Sequence, residues 1–259
     1  MAAPDFFAFF SKYFGERWNS LLPALRGEAV YETIQYPEKE PYYLDEASAF
    51  AARALGVEPG MNVLDMCAAP GGKTLILAGA LQGKGTLQSN DRSPDRRLRL
   101  SHVLENTLPE EFRLNVTISG YDGVRFGMYR KEAFDRILLD APCSSERHVM
   151  ESEKYLAEWS PKRISHIAIT QGALLASAVD ALKPGGQMIY STCALTKMEN
   201  DDVVRKILKK RKGKVRVLEL DSEIPGTDKT EFGLQMLPDR CEGRGPIFCA
   251  KLEKLKSES

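Results

Sequence analysis

The chain has 259 residues, of which 43% are hydrophobic and 28% charged, a composition that excludes the disordered and disulfide-rich classes of protein. Its length is sufficient for one large α/β domain with a sizeable core and a small appendage. Lysine plus arginine and aspartate plus glutamate both number 36, so the net charge does not indicate a polyanionic partner.

The first 41 residues are predicted to form a short helical extension followed by a linker. Aromatic residues recur at helical spacing over residues 4–26, where Pro23 is expected to interrupt the helix, and two prolines mark residues 28–41 as the linker. The extension resembles neither a signal peptide nor an organelle import sequence, and every apolar stretch is too short to span a bilayer. We therefore expect a cytoplasmic protein without membrane association, with the mitochondrial matrix as the alternative compartment.

Strands and helices then alternate through residues 42–259, which we predict to form one domain. An amphipathic helix over residues 44–56 comes first, closed by Gly56. The predicted strands are NVLDM, GTLQSN, LNVTI, FDRILLD, QMIYST and KVRVLEL, followed by a closing hairpin of FGLQMLP and GPIFCAKL. This alternation predicts an α/β fold with a mostly parallel sheet, helices on both faces and an antiparallel edge hairpin.

Capping residues indicate where the helices between these strands begin. GKTLILAGAL forms one helix, and Ser-Pro pairs at residues 93–94 and 160–161 each begin another. The helix that begins at the second pair runs to Leu182, where KPGG ends it. Thr196 and Glu199 have the spacing of a capping box at the start of the last helix.

Ligands of such sheets bind at the carboxyl ends of the strands. The predicted strand ends place six polar side chains along one edge of the sheet. They are Asp65, Asp91, Asp122, Asp140, Cys143 and Cys193.

A turn rich in small residues, LDMCAAPGGKT at 64–74, joins the first strand to its helix. It lacks the GxGxxG spacing of a dinucleotide site and the GxxxxGK spacing of a phosphate loop. Small residues let a ligand approach the backbone closely, and the helix start offers free amide groups to an anion. We therefore predict a cofactor on this turn, held by Cys67, Ala68, Ala69, Pro70, Gly71, Gly72 and Lys73.

Two further strand ends carry acidic residues suited to a nucleoside. Asp91 ends the second strand, where an acidic residue can hydrogen-bond ribose hydroxyls, and Asp122-Gly123 follows the third, within reach of an adenine edge. Each aspartate alone is better explained as a turn or cap residue. Their recurrence beside the glycine turn favours a nucleoside with an attached carboxylate over a pyrophosphate, which predicts S-adenosylmethionine as the cofactor.

The two thiols at neighbouring strand ends suggest covalent chemistry beside this methyl donor. A thiolate that adds to C6 of cytosine makes C5 nucleophilic enough to attack the donor methyl group. Asp140, if protonated in a dry pocket, is the candidate proton donor to ring N3. Cys193 precedes the predicted capped helix start, which favours its thiolate, and a second cysteine nearby could assist release.

The remaining cysteines and histidines show no catalytic or metal-binding pattern. The five cysteines are widely spaced without a CxxC pair, which predicts neither disulfides nor zinc and favours a reducing compartment. Cys241 and Cys249 are interpreted as small buried residues, and packing is the alternative role for Cys67. The three histidines are scattered, so no metal site is expected.

Several segments together identify a resemblance to the Sun/Nop family of RNA cytosine-C5 methyltransferases. They are DEASAFAARALGVEPGMNVLDMCAAPGGKT, NDRSPDRRLRLSHVLENT, FDRILLDAPCS, QGALLASAVDALKPGGQMIYSTCALTKMEND and GPIFCAKL, within residues 42–252. The resemblance implies a seven-stranded class I methyltransferase sheet, Rossmann-like, with S-adenosylmethionine on the 67–73 turn. It further implies donor contacts from Asp91, Arg96, Asp122, Gly123 and Asp140.

The same resemblance assigns separate roles to the two thiols. The cysteine of YSTC is the family's nucleophile and the cysteine of DAPCS promotes release, which correspond to Cys193 and Cys143 here. DNA cytosine methyltransferases instead use a Pro-Cys cysteine as nucleophile, so this assignment depends on the family match. The chain departs from the family's PCSG at Ser145, and Arg147 is the candidate for the arginine that follows in the family.

The short N-terminal extension resembles the compact branch of the family, which includes mitochondrial enzymes of ribosomal or transfer RNA. We expect an RNA substrate, ribosomal RNA in preference to transfer RNA, with phosphate contacts from Arg96, Arg97, Arg147 and Lys162. So short an extension suggests that the enzyme depends either on an accessory RNA-binding protein or on preassembled ribosomal RNA. The alternatives are an RNA-binding ribosome-assembly factor that retains the fold, and a small-molecule methyltransferase, which leaves the paired thiols unexplained.

Overall fold

The computed structural model describes residues 5–256, and its first elements are two short helices. α1 (Phe6–Phe14) and α2 (Trp18–Arg26) are separated by a 3-10 turn (Gly15–Arg17), and the break falls at Gly15, whose φ is +59°. The predicted interruption at Pro23 was wrong. The proline lies inside α2, where it removes one amide donor while Leu21 and Leu25 remain buried. The predicted helix start at residue 4 lies outside the described residues.

A two-stranded ribbon replaces most of the predicted linker. β1 (Tyr31–Ile34) pairs antiparallel with β2 (Tyr42–Asp45), and Tyr31 lies opposite Asp45. The linker prediction was wrong because prolines 37 and 41 lie in the connection between these strands, where neither needs to donate a hydrogen bond to the ladder. The predicted boundary between residues 41 and 42 therefore falls at the end of this connection.

The main sheet confirms the predicted architecture. Among residues 5–256 its nine strands are β3 (Asn62–Asp65), β4 (Thr86–Asn90), β5 (Val116–Ser119), β6 (Phe134–Asp140), β7 (Leu182–Thr192), β8 (Val215–Leu218), β9 (Asp228–Lys229), β10 (Leu234–Met236) and β11 (Ile247–Lys254). Their order is β5-β4-β3-β6-β7-β11-β10-β9, with β8 beside the far end of β11. The first five are parallel, whereas β11 runs antiparallel to β7 and forms the predicted hairpin with β10.

The helices pack on both faces of this sheet, as predicted. Their bounds are α3 (Glu46–Arg53), α4 (Gly72–Leu81), α5 (Pro94–Thr107), α6 (Glu110–Arg113), α7 (Phe126–Tyr129), α8 (Glu146–Val149), α9 (Glu153–Glu158), α10 (Pro161–Ala181) and α11 (Asp201–Lys210). One buried cluster joins the sheet to α3, α4 and α5, and another joins it to α7, α10 and α11. Across residues 5–256, every helix falls short of the length and apolarity that a bilayer crossing requires.

Most of the predicted helix starts are confirmed. The Ser93 side chain accepts a hydrogen bond from the Arg96 amide at the start of α5, and Ser160 does the same for Arg163 at the start of α10. The KPGG segment follows the end of α10, as predicted, but it lies within β7 and does not form a separate turn. At this point the pairing of β7 with β6 is irregular, because the register shifts between Phe134 and Arg136.

The predicted capping box was wrong. α11 begins at Asp201 rather than after Thr196, and the buried Thr196 hydroxyl has no hydrogen-bond partner among the described residues. The Glu199 carboxylate instead accepts hydrogen bonds from Ser144 and Gln171. Long-range contacts with these residues therefore outweigh the local pattern.

Candidate active site

The turn between β3 and α4 is held close to its neighbours by two glycines. Gly71 has φ of +125°, a backbone conformation that only glycine adopts readily. A Cβ on Gly72 would lie 2.6 Å from Cε1 of Tyr42, because β2 packs directly on the turn. The Ala68 amide donates to the Asn90 carbonyl at 2.8 Å, which ties the turn to the end of β4. The turn is therefore held by β2 on one side and by the end of β4 on the other.

A cavity of about 480 Å³ opens beside this turn, at the carboxyl ends of β3 and β4. We call it the donor cavity. Five of the residues predicted to bind a cofactor line it, namely Cys67, Asp91, Arg96, Asp122 and Gly123. Residues 68–73 and Asp140 lie next to it without lining it. Asn90, Pro142 and Leu174 also line it, and none of them was assigned a role in the site from the sequence, although all three lie in segments that carry the family resemblance.

The acidic residues of the donor cavity have defined partners. Asp91 Oδ1 accepts from the Ser93 amide at 3.0 Å, and its Oδ2 lies 3.5 Å from Arg96 Nε. Arg96 also donates to the Ala69 carbonyl, so it joins the turn to β4. Asp122 Oδ1 accepts from the Val124 amide at 3.1 Å. Both aspartates thus act as local caps while their side chains face the cavity.

Asp65 is fully buried directly behind the turn. Its Oδ2 accepts a hydrogen bond from Thr74 Oγ1 at 2.7 Å, whereas Oδ1 has no partner among the described residues. Burial raises the pKa of Asp65 to about 7, against the smaller opposing effect of the Thr74 hydrogen bond. Asp65 is therefore a carboxyl that exchanges its proton near neutral pH.

Replacing Asp65 by asparagine is expected to flatten the pH dependence of stability. The pKa is higher in the folded than in the unfolded chain, so the folded state holds an extra proton between about pH 4 and 7. Stability therefore falls as the pH rises through that window, by up to about 1.4 kcal/mol per pH unit. Urea unfolding from pH 5 to 8 measures this slope, which Asp65→Asn should reduce and the exposed Asp95→Asn should preserve. An unchanged slope in Asp65→Asn contradicts the assignment.

The two thiols predicted to lie together do so. Asp140 of β6 pairs with Ser191 of β7, and a cysteine follows each strand within three residues. The Sγ atoms of Cys143 and Cys193 are 2.7 Å apart, and Ser145 Oγ lies 3.3 Å from each. The hydrogen bond with Cys193, followed by burial, raises the pKa of the Cys143 thiol well above its ordinary value.

Cys193 does not precede a helix, contrary to the prediction. Seven residues separate it from the start of α11, so Cys193 does not lie at the N-terminus of that helix. The positive charge near Cys193 comes instead from Lys73. The charge expected beside this sulfur is therefore carried by a side chain that long-range packing brings there, and not by a helix start.

Cys193 faces a second and larger cavity of about 730 Å³, which we call the thiol cavity. Its walls come from the end of α2, from the β1–β2 ribbon and from the segment after Cys143. Arg147 lines it and donates to the carbonyls of Gly245 and Gly27, at 2.5 and 2.8 Å. Residues 25–31 of the N-terminal extension thus form part of the wall of this cavity.

An ion pair lies between the thiols and the cofactor turn. Lys73 Nζ donates to Asp140 Oδ2 at 2.8 Å, and Ser191 Oγ donates to Oδ1 at 2.8 Å. Burial lowers the pKa of Lys73, but the charge of Asp140 and the hydrogen bond to it, together with Cys193 and Asp65, outweigh that effect, and the pKa lies above its ordinary value. Both carboxyl oxygens of Asp140 therefore accept hydrogen bonds from neighbouring side chains, which leaves neither of them free for the predicted role of proton donor to ring N3.

The other reactive side chains lie outside both cavities or are shielded. Cys241 and Cys249 are buried in the core, as predicted, and burial raises the pKa of Cys67 far above its ordinary value. The three histidines are exposed, and His148 is hydrogen-bonded to Glu151 at the rim of the thiol cavity. Residues 5–256 contain no group of three side chains able to hold a metal ion.

Known proteins resemble the chain over most of its length. The model of a family described as 16S rRNA methyltransferase RsmB/F matches residues 52–253. Ribosomal RNA small subunit methyltransferase F of Cronobacter sakazakii is 40% identical over 225 residues, which cover 83% of this chain and 45% of that protein. The mitochondrial tRNA (cytosine(34)-C(5))-methyltransferase of Mus musculus is 33% identical over 225 residues, covering 83% of this chain and 64% of that protein.

The chain thus spans about half to two thirds of the length of these curated relatives. Among solved structures, NSun6 from Pyrococcus horikoshii with SFG superposes with a TM-score of 0.73 at 27% identity. That match covers 85% of this chain and 54% of the other.

Proposed function

The chain belongs to the family described as 16S rRNA methyltransferase RsmB/F, and on that basis we propose that it is an S-adenosylmethionine-dependent RNA cytosine-C5 methyltransferase. The proposed substrate is ribosomal RNA in preference to transfer RNA. The observation that carries the proposal is the contact between Cys143 and Cys193, at the point where Cys193 lines the thiol cavity. A fold that served only for binding would have no need of two thiols at this point.

The donor cavity suits S-adenosylmethionine, which supplies an electrophilic methyl group when bound. The buried Asp91 carboxylate can accept hydrogen bonds from ribose hydroxyls, and Asp122 with Gly123 can face the adenine. Arg96 offers a guanidinium to the ligand's carboxylate. A volume of about 480 Å³ lies within the usual range for small-molecule sites. The turn at residues 67–73 is proposed to form the remaining side of the cofactor site.

The proposed reaction proceeds through a covalent bond to the RNA. The Cys193 thiolate adds to C6 of the target cytosine, which makes C5 nucleophilic. C5 would then take the methyl group as the bond between that group and the sulfonium sulfur of the donor breaks. A base then removes the C5 proton, the C5–C6 double bond re-forms, and the Cys193 sulfur leaves. Cys143 aids this last step, and Ser145 Oγ is within hydrogen-bond reach of both sulfurs.

We further propose that residues 42–259 are the methyltransferase domain and that residues 1–41 form an N-terminal extension, of which residues 25–29 and Tyr31 line the thiol cavity. Arg97, Arg147 and Lys162 are the proposed phosphate contacts, with help from an accessory RNA-binding protein. The half-buried Arg147 has the best support, because it lines the thiol cavity. The proposed compartment is the cytoplasm, with the mitochondrial matrix as the alternative.

Incubation of the protein with tritiated S-adenosylmethionine and total RNA tests the proposed function. We expect the label in 5-methylcytosine after digestion to nucleosides, with ribosomal RNA labelled more than transfer RNA. Label confined to other nucleosides or to small molecules contradicts the proposal. RNA that binds without any labelling indicates the RNA-binding assembly factor instead.

A further inference from the structure

Two glutamates without any cationic partner lie beneath the thiols. Glu146, in the segment after Cys143, and Glu199, in the segment after Cys193, are both 0% exposed. Within residues 5–256 neither carboxyl forms a salt bridge. Two unpaired carboxylates buried this deeply would strongly destabilise the fold, so the charge state of the two glutamates needs an explanation.

The two carboxyls join the thiol-bearing segments reciprocally. Glu199 Oε2 accepts from the Ser144 amide of the other segment at 3.0 Å. Glu146 Oε2 accepts from the Leu195 amide of the other segment at 3.1 Å. Each segment therefore supplies a carboxyl to a backbone donor of its partner, and these bonds link the segment that carries Cys143 to the one that carries Cys193.

The two contacts of the Ser144 hydroxyl call for a proton on the pair. Its Oγ lies within hydrogen-bond distance of Oε1 of Glu146 and of Oε1 of Glu199. A hydroxyl has one proton to donate, so it can satisfy only one of two carboxylate oxygens. The second contact requires that the other carboxyl is protonated and donates to Oγ.

None of the other described residues around the two carboxyls carries a positive charge that would compensate a second carboxylate. Gln171 of α10 donates to Glu199 Oε2 at 2.9 Å and also contacts the Pro142 carbonyl. The titratable groups that face the pair are Tyr13 of α1, Tyr190 of β7 and Cys143, each neutral in its protonated form. None supplies a positive charge.

We propose that Glu146 and Glu199 share one proton through the Ser144 hydroxyl, and that this carboxyl clasp (Ser144, Glu146 and Glu199) positions Cys143 against Cys193. Loss of the shared proton places two negative charges on either side of one hydroxyl and opens the clasp. The shared proton is a property of the folded chain alone, whereas its effect on methylation rests on the proposed function. The glutamates act through the thiols and are positioning residues.

The expected ionisation agrees with this arrangement. Burial, followed by the charge of Glu199, raises the pKa of Glu146 to about 7, and burial raises the pKa of Glu199. The folded chain thus holds an extra proton between about pH 4.5 and 7. The clasp is therefore closed below about pH 7 and opens as the pH rises above that value.

Infrared spectroscopy of glutamine variants tests the shared proton without any assay of activity. At pH 6, Glu146→Gln and Glu199→Gln should each lose the carbonyl band of one protonated carboxyl. The double variant should lose no more than either single one, because both changes remove the same proton. Asp65→Asn is the matched control, since its band should be lost additively in the Glu146→Gln background. Two additive losses from the glutamates, or none, overturn the proposal.

The pH profile of methylation tests the positioning role. In Glu146→Gln the amide can accept from Leu195 and donate to Ser144, so it reproduces the protonated clasp at every pH. We expect the ratio of its rate to the wild-type rate to rise about tenfold per pH unit above pH 7. A constant ratio overturns the positioning role, even where the infrared result holds. If neither protein methylates RNA, the proposed function fails while the infrared result still decides the shared proton.

Discussion

Substitution of Cys193 by alanine is expected to reduce RNA methylation by at least about a thousandfold, the scale on which removal of a covalent nucleophile acts. Without the sulfur, C5 of cytosine remains too weak a nucleophile to attack the methyl group. The side chain is half-buried at the wall of the thiol cavity, so its loss should leave the fold intact. Tritium incorporation into 5-methylcytosine measures the rate, and thermal unfolding verifies the fold.

Cys241→Ala is the matched control for this substitution. It removes a thiol that is buried in the core away from both cavities, so methylation should remain within about twofold of wild type despite a small loss of stability. If Cys193→Ala methylates RNA at a rate close to that of this control, Cys193 is not the nucleophile, and the covalent mechanism has to be abandoned.

Substitution of Cys143 by alanine is expected to trap the enzyme on its RNA. The Cys193 adduct still forms and the methyl group is still transferred, but the thiol 2.7 Å away that aids elimination is gone. A protein–RNA band should therefore survive a denaturing gel, and turnover should fall by at least about a hundredfold, the scale of assisted proton transfer. Gel mobility before and after nuclease digestion measures this product.

The double variant Cys143→Ala/Cys193→Ala separates the roles of the two thiols. It should form no stable band, because the sulfur that bonds to C6 is absent. A stable band in Cys193→Ala, and none in Cys143→Ala, would mean that the two residues exchange roles, as in the DNA cytosine methyltransferases. The same pair of gels therefore decides which sulfur attacks and which assists.

Local signals in the sequence were sufficient for the elements that contain strong capping or breaking residues. α4 spans the residues predicted for it, and α5 and α10 begin at their Ser-Pro pairs, because a side-chain cap and a proline at the first position act within one turn. Alternation of strands and helices likewise predicted the parallel sheet. The meeting of Cys143 with Cys193 followed from that topology, since each lies just beyond neighbouring strand ends.

Signals that depend on distant partners misled the prediction. The local spacing of Thr196 and Glu199 is that of a capping box, yet the Glu199 carboxylate is bound to Ser144 and Gln171, far away in the chain. Prolines 37 and 41 suggested a linker, yet the strands that flank them pair with each other and pack on the cofactor turn. In both cases contacts between segments contribute more free energy than the local preference.

The sequence alone determined which edge of the sheet carries the polar side chains, and which residue types lie there, because periodicity and turn chemistry act over a few residues. Only the tertiary structure decided how those residues ionise and pair. Asp140 is bound to Lys73 and Ser191, Asp65 is buried without a cation, and Glu146 meets Glu199 across one hydroxyl. Charge states depend on burial and on the nearest partner in space, and neither quantity is encoded in the spacing of residues along the chain.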